Sequence, residues 1–458
     1  MPKDAASCHN RIPVRVPLLQ EPVGVLRSWR LMRENLLRIV PEAATRQPIL
    51  SGSSPKPWHM VMEPQALQKI FLERVENYPK SVVTKNILRP AIGESLFVAE
   101  GSHWRWQRRA SAPVFSHRNV SALAPVMTGA AERSAERIAR AGSRAVNMLD
   151  EMIAATFDVI AEVTFSDDGS FDRGAIHEAI EDYVSDAGRM SLFDVLGAPD
   201  WVPRPGRINY QAEMSQMRRN ADAAIEARAA RGPGPIPDLL DLLLASEDPK
   251  SGRRMTTGEL RDNLLTFIVA GHETTALTLA WSFYLCAFDT AVQEEARAEI
   301  HSVLKGRAAT AEDVPNLPFV RQIIDEALRL YPPAGIVSRT AQDQDTLCDT
   351  EIEPGDTVMV PIYALGRHHL LWDDPDQFRP ERFYDRKAIK RFSYLPFGDG
   401  PRICLGATFA LQEAVIILAT LLSRFRFTAI KGRDPKPVMI LTLRPEGGVW
   451  LMAEPCGD

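Results

Sequence analysis

Phe397-Gly398-Asp399-Gly400-Pro401-Arg402-Ile403-Cys404-Leu405-Gly406 is the stretch on which the reading of this chain turns. Two glycines and a proline ahead of Cys404 demand a tight loop. The apolar run from Leu405 to Arg424 reads as a helix that starts directly behind it. A cysteine at a helix N-terminus feels the positive end of the dipole and unpaired amide hydrogens, both of which favour thiolate. Gly406 removes a side chain where something flat needs to approach closely, and Arg402 offers a fixed cation for a carboxylate. Taken one at a time these features are ordinary. A lone cysteine near a helix start is most often a buried or indifferent residue. Gly398-x-Gly400 lacks the third glycine and the preceding strand of a nucleotide loop, which removes that reading.

Upstream, three further segments carry polar residues where an apolar face is expected. The run from Thr257 to Thr290 is a long helix opened by Thr256-Thr-Gly-Glu259, a capping box. Midway it carries Ala270-Gly-His-Glu-Thr-Thr275, polar groups that cost free energy unless a cavity, water or partner uses them. Ala270 and Thr274 share a face one turn apart, and Gly271 costs about 1 kcal/mol against alanine in a helix. A kinked helix with back-bonded threonines accounts for the same residues. Glu326 and Arg329 sit three apart on a helix that begins after Pro318 and stops at Pro332-Pro333. Such a pair is commonly solvated; here Val320, Ile323, Ile324, Ala327, Leu328 and Tyr331 surround it with apolar surface, and burial would call for another partner. Gly101-Ser-His-Trp-Arg-Trp-Gln-Arg-Arg109 packs three arginines and two tryptophans together, but without a longer basic face this is a weak nucleic-acid signal.

The bulk properties agree with an ordinary globular enzyme or binding protein. In 458 residues, 25% are charged, 45% are hydrophobic and the net charge is -5, so nothing draws the chain toward nucleic acid or an anionic membrane. Five scattered cysteines form no CxxC pair and no disulfide framework, as in a reducing compartment. The apolar stretch from Asn263 to Phe288 holds His272 and Glu273 at its middle, which argues against a membrane span, and the N-terminus lacks a signal peptide's apolar region. Helices are expected over 119–142, 147–165, 208–230, 257–290, 292–304, 317–331 and 405–424, and strands at His59–Met62, Asp356–Pro361 and Val438–Leu443. Arg231-Gly-Pro-Gly-Pro-Ile-Pro237 is a loop within one domain. The expected class is mainly α (α+β), one domain over 1–458 with a short N-terminal extension of about 1–20, cytoplasmic and monomeric.

Read as a whole, Phe397, Gly400, Arg402, Cys404 and Gly406 resemble the haem-binding loop of the cytochrome P-450 superfamily, of the soluble bacterial type. The other segments resemble that superfamily's motifs in the same order: Trp104-x-x-x-Arg108, the oxygen-binding stretch at 270–274, Glu326-x-x-Arg329, and Pro380-Glu-Arg-Phe383. The tail Leu441–Pro445 is similar too. The resemblance implies a triangular, helix-rich prism with small β-sheets and haem b buried between the long central helix and the cysteine loop. It makes Cys404 the axial thiolate and metal ligand, packed beside Phe397. Arg402, Trp104, Arg108 and, on a looser pattern, Arg339 would contact haem propionates. Ala270, Gly271 and Gly406 would lie against the cofactor. Thr274 and Glu273 would deliver protons to dioxygen, while Glu326, Arg329 and Arg382 would form a structural triad. His272 takes the variable slot and no role.

The implied activity is insertion of one oxygen atom of O2 into an apolar small molecule, by C–H hydroxylation or epoxidation. Electrons from NAD(P)H would come through a separate partner, a ferredoxin with its reductase or a flavodoxin-like protein. Arg105 and Arg109 would add to a basic docking patch. Thr266, Val269, Ala270, Thr274, Ile336 and Val337 would line the pocket, under a lid formed by a loop at 86–100. A peroxide-using peroxygenase, an isomerase or dehydratase acting on a peroxide, and a non-catalytic haem sensor stay as alternatives.

Overall fold

The computed structural model describes residues 12–54, 56–165, 211–234 and 237–456. Among them, ten α-helices reach ten residues or more: α1 (Val25–Glu34), α2 (Val82–Ile92), α3 (Gly101–Ser111), α4 (Ala124–Ala141), α5 (Met148–Phe165), α6 (Gln211–Arg231), α7 (Thr257–Phe288), α8 (Thr290–Leu304), α9 (Pro318–Leu330) and α10 (Ala407–Arg424). The largest sheet has four strands in the order β1 (Ile49–Gly52), β2 (Trp58–Val61), β7 (Thr357–Val360) and β4 (Val337–Thr340). Within it β2 and β7 run parallel and the other pairs antiparallel. Three small sheets complete the set: β3 (Val146–Asn147) with β11 (Trp450–Pro455) and β8 (Phe425–Ala429), β5 (Asp345–Leu347) with β6 (Thr350–Ile352), and the hairpin β9 (Lys436–Met439) to β10 (Leu443–Glu446). The helix-dominated class expected from the sequence is the one observed.

The axis of the molecule is α7. Thr256 and Glu259 cap it reciprocally, and every residue from Thr275 to Ala287 is buried, the state of a helix that is apolar all round. Trp281 stacks on Tyr331 with centroids 4.0 Å apart. The helix ends at Phe288, short of the expected 290, because the Asp289 side chain accepts the Ala291 and Val292 N–H groups and starts α8 at a bend of 112°. Among the described residues the one helix long and apolar enough by itself to cross a membrane is α10, and its residues from Gln412 to Leu422 are buried.

Three expectations need correction. The helix expected over 119–142 breaks at Leu123, where Pro125 opens α4. The strand expected at Val438–Leu443 is the end of β9, a turn at 440–442 and the start of β10, with Met439 opposite Leu443. That turn faces the interior, so it is apolar and carries no turn signature. The expected lid loop at 86–100 is helical as far as Ile92, because Ser81 caps α2 and Pro90 falls only in its last turn. The N-terminal extension is fastened where it is described: Tyr284 and Tyr363 accept the Val14 and Val16 N–H groups, and Tyr331 Oη donates to Val14 O at 2.6 Å.

Under the cysteine loop, α9 presents Glu326 and Arg329, both side chains fully buried. Arg329 uses all five of its donors: Nε and Nη2 on Glu326 at 2.6 and 2.7 Å, and the rest on the carbonyls of Gly366, Pro375 and Gln377. Arg382 lies 3.4 Å from Glu326, and the Arg379 N–H also donates to that carboxylate at 2.9 Å. The three residues expected to cluster are brought together, with the Glu326 carboxylate joining both arginines. The loop itself is closed by the Cys404 N–H on Phe397 O at 2.9 Å, and two of its glycines, Gly398 and Gly400, have φ of 69°. They differ in surroundings: a Cβ on Gly398 would meet nothing within 4 Å, whereas one on Gly400 would stand 2.0 Å from the Phe71 carbonyl oxygen.

Two outcomes follow. Arg329→Met strands a buried carboxylate and should lower stability to urea by about 3–5 kcal/mol, and Arg329→Lys should not restore it, since lysine cannot reproduce the planar five-donor fork. Gly398→Ala should cost about 1–2 kcal/mol for its positive φ alone, while Gly400→Ala adds a backbone collision and should cost distinctly more; equal melting points for the two would contradict the packing described.

Candidate active site

A cavity of about 1710 Å³ lies between the middle of α7 and the cysteine loop. Cys404 opens onto it and is otherwise enclosed by protein. Burial pushes its thiol up; the Gly406 N–H and the Arg108 guanidinium pull the other way. The helix-end effect expected from the sequence is thus present but loses to desolvation, so a thiolate here needs a bound cation. Gly406 precedes α10 at the cavity wall, and a Cβ on it would project into open space.

At one end of the cavity four cations converge. Arg402 lies over Trp104 at 4.3 Å and donates to Ala99 O and to the Glu100 carboxylate. Arg108 follows Trp104 by one turn on the same face of α3. Arg339 comes from β4, and Lys80 is bridged to it backbone to backbone. All four line the cavity. Burial is the leading cause that lowers the affinity of each for its proton: it acts on Arg108 and Arg402, brings Arg339 to about 10 with help from Arg402, and with Arg339 and Arg402 takes Lys80 well below its ordinary value. Glu100 is the carboxylate paired with this group among the described residues. A partly dehydrated cluster with cations in excess is a site for an anion.

The opposite wall is α7. Thr266, Val269, Ala270 and Thr274 line the cavity, joined by Ile336 and Val337, as the sequence led one to expect. Thr266, Thr274, Thr275 and Thr278 donate to the carbonyls four residues back, Thr274 Oγ1 to Ala270 O at 2.8 Å. The back-bonded arrangement weighed above is present, and each hydroxyl oxygen keeps lone pairs to offer. Glu273 is nearly buried: Thr442 Oγ1 donates to its Oε1 at 2.8 Å, and Arg444 pairs with it at 3.2 Å. Gly271 also borders the cavity, but its missing side chain has a second reason, since a Cβ there would come within 3.3 Å of Ile160 on α5. His272 packs edge-on to Phe157 and sits 2.9 Å, through Nδ1, from Ile268 O.

The two arginines expected to contribute to a docking patch, Arg105 and Arg109, stay part-exposed and each carries an ion pair. Arg109 is held in a fork by Asp248 at 2.6 and 2.8 Å, and Arg105 pairs with Glu76 at 2.8 Å. Conversely, sequence reasoning missed Lys80 and Glu100 beside the arginines, and Thr442 and Arg444 on Glu273. A single lysine in Tyr-Pro-Lys-Ser carries no local signal; only its bridge to Arg339 makes it part of the site.

The family model described as Cytochrome P450 matches residues 48–452. "Cyclooctatin synthase" of Streptomyces melanosporofaciens is 31% identical over 396 residues, 85% of each chain. "Cyclooctat-9-en-7-ol 5-monooxygenase" of the same organism is 35% identical over 351 residues, 75% of each. A "Cytokinin hydroxylase" of Arabidopsis thaliana is 32% identical, over 81% of this chain and 73% of its own. Among solved structures, the heme domain of cytochrome P450DA matches 98% of this chain and 99% of its own with a TM-score of 0.80 at 25% identity. The family implies haem and dioxygen as the reactive pair, and this chain belongs to the cytochrome P450 family, as a monooxygenase.

Proposed function

We propose that this chain, acting as one domain, binds haem b, which Cys404 would hold through its sulfur, and oxygenates a bulky apolar molecule at a C–H or C=C bond. The observation that carries the reading is the pairing of a cavity-facing sulfur with a cation cluster in one enclosed space. The residues present fit the cofactor. A single thiol cannot hold a metal ion alone, and among the described residues no group of three or more His, Cys, Asp or Glu side chains converges. A metal here must bring most of its ligands with it, as a porphyrin does. The surplus of Lys80, Arg108, Arg339 and Arg402 over Glu100 suits two propionates. The open space at Gly406 suits a flat ring against the start of α10.

When bound, the haem–thiolate pair supplies dioxygen activation, the thiolate favouring O–O cleavage. The chain's own groups do the rest. Cys404 presents its sulfur to the cavity. Thr274 Oγ1, now donating to Ala270 O, is placed to turn its proton into the cavity, and Glu273 Oε1 is the acid–base group behind it, oriented by Thr442 and Arg444. Thr266, Val269, Ala270, Ile336 and Val337 exclude water around the substrate, and Ile87 and Leu96 extend that wall from the α2 side. At about 1710 Å³ the cavity exceeds the roughly 300–1,000 Å³ that holds one drug-sized ligand, which leaves room for cofactor and a large substrate together. The relative named for a cyclooctat-9-en-7-ol favours an unsaturated alcohol on an apolar skeleton. Electrons from NAD(P)H would arrive through a separate ferredoxin or flavodoxin-like protein.

The decisive experiment is a reduced carbon monoxide difference spectrum. Wild type should give the thiolate band and Cys404→Ala should lose it; a variant that keeps the band would overturn the assignment. Arg339→Ala and Lys80→Met should each release haem to apomyoglobin about ten- to a hundredfold faster, the worth of one charged hydrogen bond of about 1.5–3 kcal/mol, and unchanged release would remove these residues from the propionate site. Product formed with hydrogen peroxide but not with a reduced ferredoxin would make the enzyme a peroxygenase instead.

A further inference from the structure

Four threonines of α7 line the cavity: Thr266, Thr274, Thr275 and Thr278. A hydroxyl has one proton to donate, and each of the four commits it to a carbonyl one turn back. Thr266 Oγ1 donates to Asp262 O at 2.8 Å, Thr274 Oγ1 to Ala270 O at 2.8 Å, Thr275 Oγ1 to Gly271 O at 3.1 Å and Thr278 Oγ1 to Thr274 O at 2.8 Å. A carbonyl oxygen only accepts, so the direction of these bonds is fixed. In this arrangement the four oxygens offer a ligand lone pairs and no proton. Such a wall discriminates between ligands that carry oxygen. An alcohol gains a hydrogen bond by donating to it. A ketone or an ether brings lone pairs of its own, and it gains a bond only when a threonine gives one up.

Thr266 is the member of the row placed to bind and not to react. It precedes Thr274 by eight residues, about 12 Å of helix rise, with the apolar Val269 and Ala270 between them. It is 6% exposed, and Val269, Ala270, Ile336 and Val337, which line the same cavity, carry no polar side-chain atom. An acceptor set in an apolar wall gains most from a ligand that brings a donor. We infer that Thr266 Oγ1 receives a hydroxyl of the substrate. The cavity then takes an alcohol in preference to the matching ketone, and holds its hydroxyl about two turns of α7 away from Thr274. The inference rests on the oxygenation reading above and adds to it the oxygen function that the substrate carries; the directions of the hydrogen bonds belong to the polypeptide.

The test uses cyclododecanol and cyclododecanone, which share one ring and differ in the oxygen function, each titrated by calorimetry into the haem-loaded protein. Wild type should bind the alcohol about tenfold tighter than the ketone, the factor one buried hydrogen bond carries. Thr266→Val keeps the shape and loses the oxygen, and should bring the two affinities within about twofold of each other by weakening the alcohol alone. Thr266→Ser keeps the hydroxyl and should restore the preference. A wild type without preference, a T266V that weakens both ligands by the same factor, or a T266S that behaves like T266V would each overturn the assignment. A wild type without the carbon monoxide band fails the haem reading, whereas one with the band and no preference for the alcohol fails only the role of Thr266.

Discussion

A sulfur enclosed in protein does not ionise unless something positive sits against it, and this constraint organises the molecule. Burial raises the Cys404 thiol, and neither the Gly406 N–H nor Arg108 outweighs it. On the proposed reading the thiolate would be a property of the loaded site, and the protein's work would be to hold the Cys404 sulfur at the cavity. The loop does so by geometry. Gly400 threads beneath the Phe71 carbonyl in a conformation closed to other residues. The Cys404 N–H ties the turn back to Phe397.

Charge in the interior is treated in three ways. Arg329 is fully satisfied by Glu326 and three carbonyls, so it can only be structural: nothing remains for a ligand to take. Lys80, Arg339 and Arg402 share the Glu100 carboxylate and Arg108 lines the same cavity, so cations exceed carboxylates there among the described residues. Glu413 is buried with one carboxyl oxygen unpartnered, and burial pushes its carboxyl well above the ordinary range. Buried charges of the same types thus differ in how many of their partners the protein itself provides.

The helices and the two strands His59–Met62 and Asp356–Pro361 were legible because apolar periodicity and caps are local. The 256–259 capping box, for instance, is a property of four adjacent residues. The errors arose where a tertiary contact replaced a local signal. The 440–442 turn is apolar because it faces a cavity, not solvent. The helix inside the expected 86–100 loop was hidden by Pro90, which the last turn of α2 tolerates. The ion pairs of Arg105 with Glu76 and of Arg109 with Asp248 were not legible, because the partners are remote in sequence.

From the order of residues alone came the helix-dominated class, the glycine-bounded cysteine loop ahead of its helix, the shared face of Ala270 and Thr274, and the Glu326–Arg329 spacing, since each depends on dihedrals and separations of a few residues. Only the tertiary structure decided that Lys80 and Glu100 join the arginines and that Glu273 answers to Arg444. Those partners lie on different elements, and the energy of a buried charge or hydroxyl is set by what surrounds it in space, which no window along the chain contains.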